Sequence, residues 1–181
     1  MPLTKGRYGT SLVETLDSPL FLFSSDPDKV ADDADRVLTE YVYNKMVSNH
    51  GGKVVPLDKT IEFWFRAPRD ANKDTIRSLA RKTGELLKAN VIMTGYVWKY
   101  KRRIGGSRAA SSPASVGFAL VLIETANGRL LWRGRFEEKQ RPLSENILGA
   151  KTFFDRGGKW LTVDDLARYG VNEVFKKYPY R

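Results

Sequence analysis

Residues 115–140, "SVGFALVLIETANGRLLWRGRFEEKQ", contain two apolar runs separated by a turn sequence. Asn127 followed by Gly128 between such runs is the strongest short-range signal for a β-hairpin, because both residues tolerate the positive φ angles of tight turns. The stretch therefore predicts two antiparallel strands. A two-residue loop would set the following residues opposite one another: Ile123 and Trp132, Val121 and Gly134, Ala119 and Phe136.

Alternation along the second strand separates two predicted faces. Trp132 and Phe136 are expected to face the core, where burial of each ring stabilises the fold by roughly 1.5 to 3 kcal/mol. On the other face, Arg133 is expected opposite Leu122 and Arg135 opposite Leu120. The arginine stems could cover the leucines while their guanidinium groups stay in water. The alternative is a partner surface, because arginine on an apolar face is enriched at protein interfaces.

Hydrophobic periodicity and turn residues predict the remaining elements. The expected elements, in chain order, are a strand at 20–23, a helix within 27–52 that ends at Gly51 and Gly52, extended pieces within 53–68 around Pro56, a helix within 72–90, a long strand from Val91, a flexible loop at 104–114, the hairpin, and a last helix capped by Thr162. The order β-α-β-α-β-β-β-α predicts an α/β fold, an α+β sandwich with a mixed, mainly antiparallel sheet and helices packed on it.

Length and composition predict a single globular domain. The chain has 181 residues, 41% of them hydrophobic and 12% aromatic, which is enough to bury a sizeable core. We expect one domain over 1–181, with an extended segment at 1–17 and a loop containing a short helix at 142–161. No apolar run approaches the roughly 18 to 20 residues that cross a bilayer. The absence of cysteine excludes disulfides and thiolate metal sites.

Positive charge is concentrated in the second part of the chain. The formal net charge is +10, and residues 101–181 carry 16 basic and 8 acidic side chains. Such a balance favours an anionic partner. The densest basic cluster comprises Lys99, Lys101, Arg102, Arg103 and Arg108. It can be a solvated loop, a contact with a protein or an anionic lipid headgroup, or a nucleic-acid site in which Tyr96 and Trp98 stack on bases. No nucleic-acid-binding signature accompanies it.

No motif indicates catalysis, a cofactor or a metal. His50 is the sole histidine, and its place at a predicted helix end suits an electrostatic capping role. "GAKT" at 149–152 and "GGKW" at 157–160 lack the spacing of a phosphate-binding loop. The aspartates at 26, 28, 32, 33 and 35 lack a calcium-loop pattern, and the helix dipole explains them. An enzyme with an unfamiliar site around His50 or these aspartates is the remaining catalytic alternative.

Three stretches carry a resemblance: "ANVIMTGYVWKYKRRIG" from Ala89, "LIETANGRLLW" from Leu122 and "RGGKWLTVDDLA" from Arg156. They resemble bacterial envelope lipoproteins related to the curli secretion-channel subunit, the TolB amino-terminal domain and the lipoprotein activators of penicillin-binding proteins. The resemblance extends over about residues 18–178 and rests on structural motifs, with no catalytic residues among them. It implies an α/β sandwich, lipid-anchored to the outer membrane on the periplasmic side, that binds envelope proteins. The leader and lipid-accepting cysteine of such proteins do not occur in these 181 residues.

The leading hypothesis is a non-enzymatic interaction domain of the bacterial envelope. Its partner is expected to be an envelope protein or a second copy of the chain, and anionic lipid headgroups are a further expected contact. A basic nucleic-acid-binding module is the alternative. The expected partner surface consists of Lys101, Arg102, Arg103, Arg108, Arg133 and Arg135.

Overall fold

The structure, a computed structural model, describes residues 2–5, 16–18, 29–105, 110–139 and 161–180. These residues form helices and strands in the following chain order: β1 Thr4–Lys5, α1 Ala34–His50, a 3₁₀ turn Gly51–Lys53, α2 Leu57–Arg66, α3 Ile76–Leu87, β2 Val91–Lys101, β3 Ile104–Gly105, β4 Ala110–Ser112, β5 Ser115–Glu124, β6 Leu130–Lys139 and α4 Val163–Lys176. The α/β sandwich class predicted from the sequence is confirmed.

The main sheet is mixed and mainly antiparallel. Its strand order is β1-β2-β5-β6, in which β1 runs parallel to β2 while the β2–β5 and β5–β6 pairs are antiparallel. Val30 adds a parallel bridge to Tyr100 near the far end of β2. Strand β5 is buried along almost its whole length because helices cover both faces of the sheet. β6 is the last strand on its side of the described sheet.

One face of the sheet is covered by α1 and α4. The main core cluster joins Leu38 of α1 and Leu166 of α4 to Phe118, Leu120 and Leu122 of β5. Helix α4 begins with a capping box, in which Thr162 Oγ1 accepts from the Asp165 N–H and the Asp165 carboxylate accepts from the Thr162 N–H. This confirms the predicted capping of α4, and its predicted apolar face is buried at Val163, Leu166, Val171, Val174 and Phe175.

The opposite face is covered by α3. Ile76 and Ala80 of α3 form a second cluster with Ile92 of β2 and with Val121 and Ile123 of β5. Alternate residues of β5 therefore belong to different clusters, as the pleat of a strand requires. The chain needs helices on both faces because β5 has no polar face to turn to water.

The predicted hairpin is confirmed, but its predicted register is wrong by one residue. Trp132 lies opposite Leu122, and a bulge follows at Leu122/Ile123. The loop spans 125–128 and ends with Gly128 at a φ of 74°. This loop is longer than the two-residue turn because helix α3 binds it: the Arg77 guanidinium donates to the Gly128 carbonyl at 2.6 Å.

The segment around Pro56 was predicted as extended, and this prediction is wrong over Leu57–Arg66, which is helix α2. Alternating Ile61, Phe63 and Phe65 are a pattern typical of a strand. In the helix, Thr60 and Trp64 are buried four residues apart, and Trp64 packs on Leu79 of α3. Tertiary packing of one helical face therefore outweighs local β propensity.

Other predictions have mixed outcomes. The predicted loop at 104–114 contains the short antiparallel pair β3–β4. The predicted strand at 20–23 and the predicted short helix within 142–161 lie outside the described residues, apart from Leu161. "GAKT" and "GGKW" also lie outside them.

Candidate functional site

The basic end of β2 is partly neutralised by acidic partners. Arg102 Nη2 lies 2.8 Å from Asp33 Oδ2, beside the start of α1. The hydrogen bond from Arg102 holds the pKa of Asp33 below its usual value. Lys99 Nζ lies 2.7 Å from Glu137 Oε1 on β6. Lys101 is exposed, and Arg108 lies outside the described residues. The cluster is therefore less positive than its sequence suggests.

The aromatic residues of β2 are core residues. Tyr96, Trp98 and Tyr100 are 5%, 3% and 1% exposed, so none of them can stack on a nucleotide base. The Tyr100 hydroxyl donates to the Asp164 carboxylate at the start of α4. Burial, together with this bond, raises the pKa of Tyr100 far above its usual value. The alternative in which Tyr96 and Trp98 stack on bases is therefore contradicted.

The arginines of β6 lie on the strand's outer face, but not opposite the predicted leucines. Because of the register, Arg133 lies opposite Val121, and Arg135 lies opposite Ala119. The Arg135 guanidinium carbon lies 4.9 Å from the centre of the Trp98 ring, within the range of a cation–π contact. Arg135 also pairs with Glu137 at 2.9 Å.

Glu137 connects the two predicted parts of the surface. Burial alone would raise its pKa, but hydrogen bonds from Lys99 and Arg135 outweigh burial and leave the pKa below its usual value. The Glu137 carboxylate therefore links Lys99 of β2 to Arg135 of β6. Arg102 is separated from them by its pairing with Asp33.

Arg133 is one of the exposed cations of β6. Within the described part of the chain, no ion pair to its guanidinium is found. It borders a groove of about 680 Å³ between β6 and α4, which also contains Tyr169, Glu173 and Lys177. Basic and acidic side chains both line this groove. Among the described residues, no strand pairs with the outer edge of β6.

A cavity of about 490 Å³ lies at the other end of the sheet, and the sequence did not reveal it. It lies beside the end of α1, where Gly51 follows the helix at a φ of 55°. Buried Val42, Ile92 and Leu122 are among the side chains that line it. The segment around Pro56 supplies part of the wall, and because it is helical from Leu57 onward, the extended conformation predicted there does not indicate a cavity.

His50, the last residue of α1, lines this cavity. Its Nε2 lies 3.3 Å from the Tyr178 hydroxyl, and the two rings meet edge to face at 5.7 Å. The helix-end position confirms the predicted location of His50. Among the described residues, no group of three histidine, aspartate or glutamate side chains could hold a metal ion. No helix in the described part of the chain is long and apolar enough to span a bilayer.

No protein-family profile and no curated protein matches the sequence. Among solved structures, the PelC dodecamer from Paraburkholderia phytofirmans is similar, with 14% identity and a TM-score of 0.52 over 85% of this chain and 81% of PelC. The chain has the fold of PelC. A point variant of that PelC dodecamer aligns with 12% identity and a TM-score of 0.53, covering 99% of this chain and 86% of the variant.

A third structure is the lipoprotein GNA1162 from Neisseria meningitidis, with 13% identity and a TM-score of 0.45 over 72% of this chain and 91% of that protein. At identities of 12 to 14%, the similarity to PelC concerns the fold alone. It agrees with the α/β sandwich that the sequence resemblance implies.

Proposed function

We propose that this chain is a non-enzymatic interaction domain of the bacterial envelope, anchored by lipid to the periplasmic side of the outer membrane, which binds protein through β6. The proposed contact, called the β6 surface below, comprises Arg133, Arg135, Lys139 and the outer backbone edge of the strand. Its partner is an envelope protein or a second copy of this chain.

The edge of β6, with which no strand among the described residues pairs, is the observation that carries the proposal. An edge strand offers unpaired N–H and C=O groups, which another chain can bind by adding a strand. Natural edge strands are commonly protected by charge, and the exposed residues of β6 are Arg133, Arg135, Glu137 and Lys139. Arginine binds carboxylates in a planar, two-pronged geometry, so it also suits recognition of an acidic partner.

Two further considerations support the proposal. PelC, which shares this fold, forms a dodecamer. This supports a second copy of the chain as the protein that binds the β6 surface. The envelope location rests on the resemblance of the β2, hairpin and α4 sequences to envelope lipoproteins. The sequence contains no motif that indicates catalysis, which is compatible with a binding role.

Nucleic acid is a weaker alternative partner. Lys101 is an exposed cation that could contact phosphate, but the aromatic residues beside it are buried. Backbone contact alone would give binding that falls steeply with salt. An oligonucleotide that binds at about 50 mM salt and is released at higher salt would revive this alternative.

The test is double charge reversal on β6. We expect Arg133→Glu with Arg135→Glu to abolish concentration-dependent self-association in sedimentation velocity, or to release the envelope protein that the wild type retains in pull-downs. The matched control is Arg36→Glu with Arg66→Glu, which makes the same charge change on α1 and α2. Each control arginine also pairs with a glutamate, as Arg135 does.

Circular dichroism of both variants distinguishes a lost interface from a lost fold. If the β6 variant keeps the self-association and every partner of the wild type, the β6 surface is not the binding site. Equal loss in the control variant would attribute the effect to net charge and would also contradict the proposal.

A further inference from the structure

The cavity between the end of α1 and the start of β2 has no role in the proposed function. It measures about 490 Å³, within the range of small-molecule sites. Neither Arg133 nor Arg135 lines it. Its chemistry can therefore be considered independently of the β6 surface.

The interior of the cavity is apolar. Ile92, Met93 and Leu122 are 5%, 8% and 2% exposed and come from the sheet, while half-buried Met46 and Leu57 come from α1 and α2. A methylene chain placed here would leave water and contact hydrocarbon and thioether groups. An apolar ligand portion is thus favoured.

The rim of the cavity is cationic. Lys53 and Lys88 are exposed lining residues, and no aspartate or glutamate occurs among the described residues that line it. Two different turns deliver these lysines: Lys53 ends the 3₁₀ turn after α1, and Lys88 terminates α3. Both therefore line the same cavity although they are 35 positions apart.

Lys88 adopts an unusual backbone conformation. Its φ is 53° and its ψ is 35°, the left-handed region that glycine or asparagine normally occupies at a helix end. It is the one non-glycine residue with positive φ among the described residues. A lysine there is conformationally less favourable than glycine, so its side chain is expected to serve a purpose at the rim.

We propose that this cavity binds a single-chain anionic amphiphile, a fatty acid, with the hydrocarbon chain against Ile92, Met93 and Leu122 and the carboxylate between Lys53 and Lys88. Charge complementarity selects the anionic head, and the apolar interior selects the chain. His50 and Tyr178, already hydrogen-bonded to each other, close one side of the cavity.

Calorimetric titration of the intact protein with dodecanoate, below its micelle concentration, tests the proposal. We expect saturable binding of one molecule per chain, and weaker binding of dodecyltrimethylammonium, which has the same chain and a positive head. Lys53→Glu with Lys88→Glu should weaken dodecanoate binding roughly tenfold, because two attractive charge contacts with the carboxylate become repulsive. The same variant should reverse the preference between the two amphiphiles.

The matched control is Lys59→Glu with Lys73→Glu. It makes the same change in net charge at exposed lysines that do not line the cavity. It should bind dodecanoate as the wild type does, and so should Arg133→Glu with Arg135→Glu. Met46→Trp, a substitution in the half-buried wall, should fill the cavity and abolish binding while circular dichroism stays unchanged.

Several results would overturn the inference. These are absence of saturable dodecanoate binding, equal affinity for both amphiphiles, or equal weakening by both pairs of lysine substitutions. Binding to phosphatidylglycerol vesicles without binding of dodecanoate would indicate a membrane-surface contact instead of the cavity. Failure of the β6 test with success here, or the reverse, separates this inference from the proposed function.

Discussion

Asp74 is a buried carboxylate whose charge is satisfied by several donors. Lys82 Nζ lies 2.7 Å from its Oδ1, the Asp70 N–H donates to its Oδ2 at 2.8 Å, and Ser78 Oγ lies 2.8 Å from Oδ1. Led by the bond from Lys82, these contacts lower the pKa of Asp74 to about 2. Through these bonds, Asp74 connects the turn that precedes α3 to Ser78 and Lys82 of the helix.

We predict that Asp74→Asn lowers the free energy of unfolding by about 2 kcal/mol at pH 6, from the loss of charge-assisted bonds. Because the folded pKa lies below the unfolded one, this contribution is present above pH 4 and is lost as pH falls toward 2. In urea denaturation, the difference in free energy of unfolding between the wild type and the variant should therefore become smaller from pH 6 to pH 3.

Asp70→Asn is the control for this prediction. Asp70 is about half exposed, and its ion pair with Lys73 is loose at 3.7 Å. We expect a change below about 0.5 kcal/mol with little pH dependence. Equal destabilisation by both substitutions would mean that the network around Asp74 does not stabilise the fold beyond an exposed pair.

At the scale of elements, β6 and α4 approach closely because glycine lies at the contact. A Cβ atom on Gly134 would lie 2.3 Å from Val174 Cγ1 and 2.8 Å from the Trp132 ring. These neighbours cannot retreat easily, since the Trp132 Nε1 donates to the Lys177 carbonyl at 3.1 Å and its ring packs on Tyr178. The strand and the helix are therefore held at a distance that only glycine permits.

We predict that Gly134→Ala lowers the free energy of unfolding by about 1 to 3 kcal/mol, the usual cost of overpacking. Gly52→Ala is the matched control, because no atom lies within 4 Å of the Cβ position there. Thermal unfolding followed by tryptophan fluorescence measures both. A neutral Gly134→Ala with an intact signal would show that α4 moves away from β6 at no cost.

The elements differ in how far the sequence predicts them. Helices α1, α3 and α4 follow from apolar spacing and end signals, and the hairpin follows from Asn127-Gly128. The strand register of the hairpin does not follow from the sequence, because residues of α3 some 50 positions away donate hydrogen bonds to carbonyls of its loop. Helix α2 was missed for a similar reason: its buried face depends on Trp64 packing on α3, a contact with no local signal.

At the scale of the molecule, the charge distribution depends on contacts between distant segments. The sequence locates the basic residues of β2 and β6, but Arg102 is neutralised by a carboxylate 69 positions away and Lys99 by one 38 positions away. Local pattern cannot reveal such pairs. It likewise cannot reveal a cavity whose wall comes from helices α1, α2 and α3 and from strands β2, β5 and β6, so the candidate sites emerge only when the chain is folded.

The N-terminal residues are a further long-range component of the whole fold. Leu3 is 2% exposed within the main core cluster, and its N–H donates to Thr39 Oγ1 at 3.0 Å. Next to it, Thr94 Oγ1 donates to the Pro2 carbonyl at 3.2 Å. This segment thus connects α1 with β2, although strand β1 itself is only Thr4–Lys5.

We predict that Leu3→Ala lowers the free energy of unfolding by about 2 to 5 kcal/mol, because truncation leaves a cavity between α1 and the sheet. Leu86→Ala on α3 is the matched control: Leu86 is 45% exposed, so its loss should cost less than about 0.5 kcal/mol. Urea denaturation midpoints of the two variants provide the measurement. Comparable midpoints would mean that residues 2–5 pack on a domain that is already stable without them, whereas the expected difference would make β1 an integral strand of the sheet.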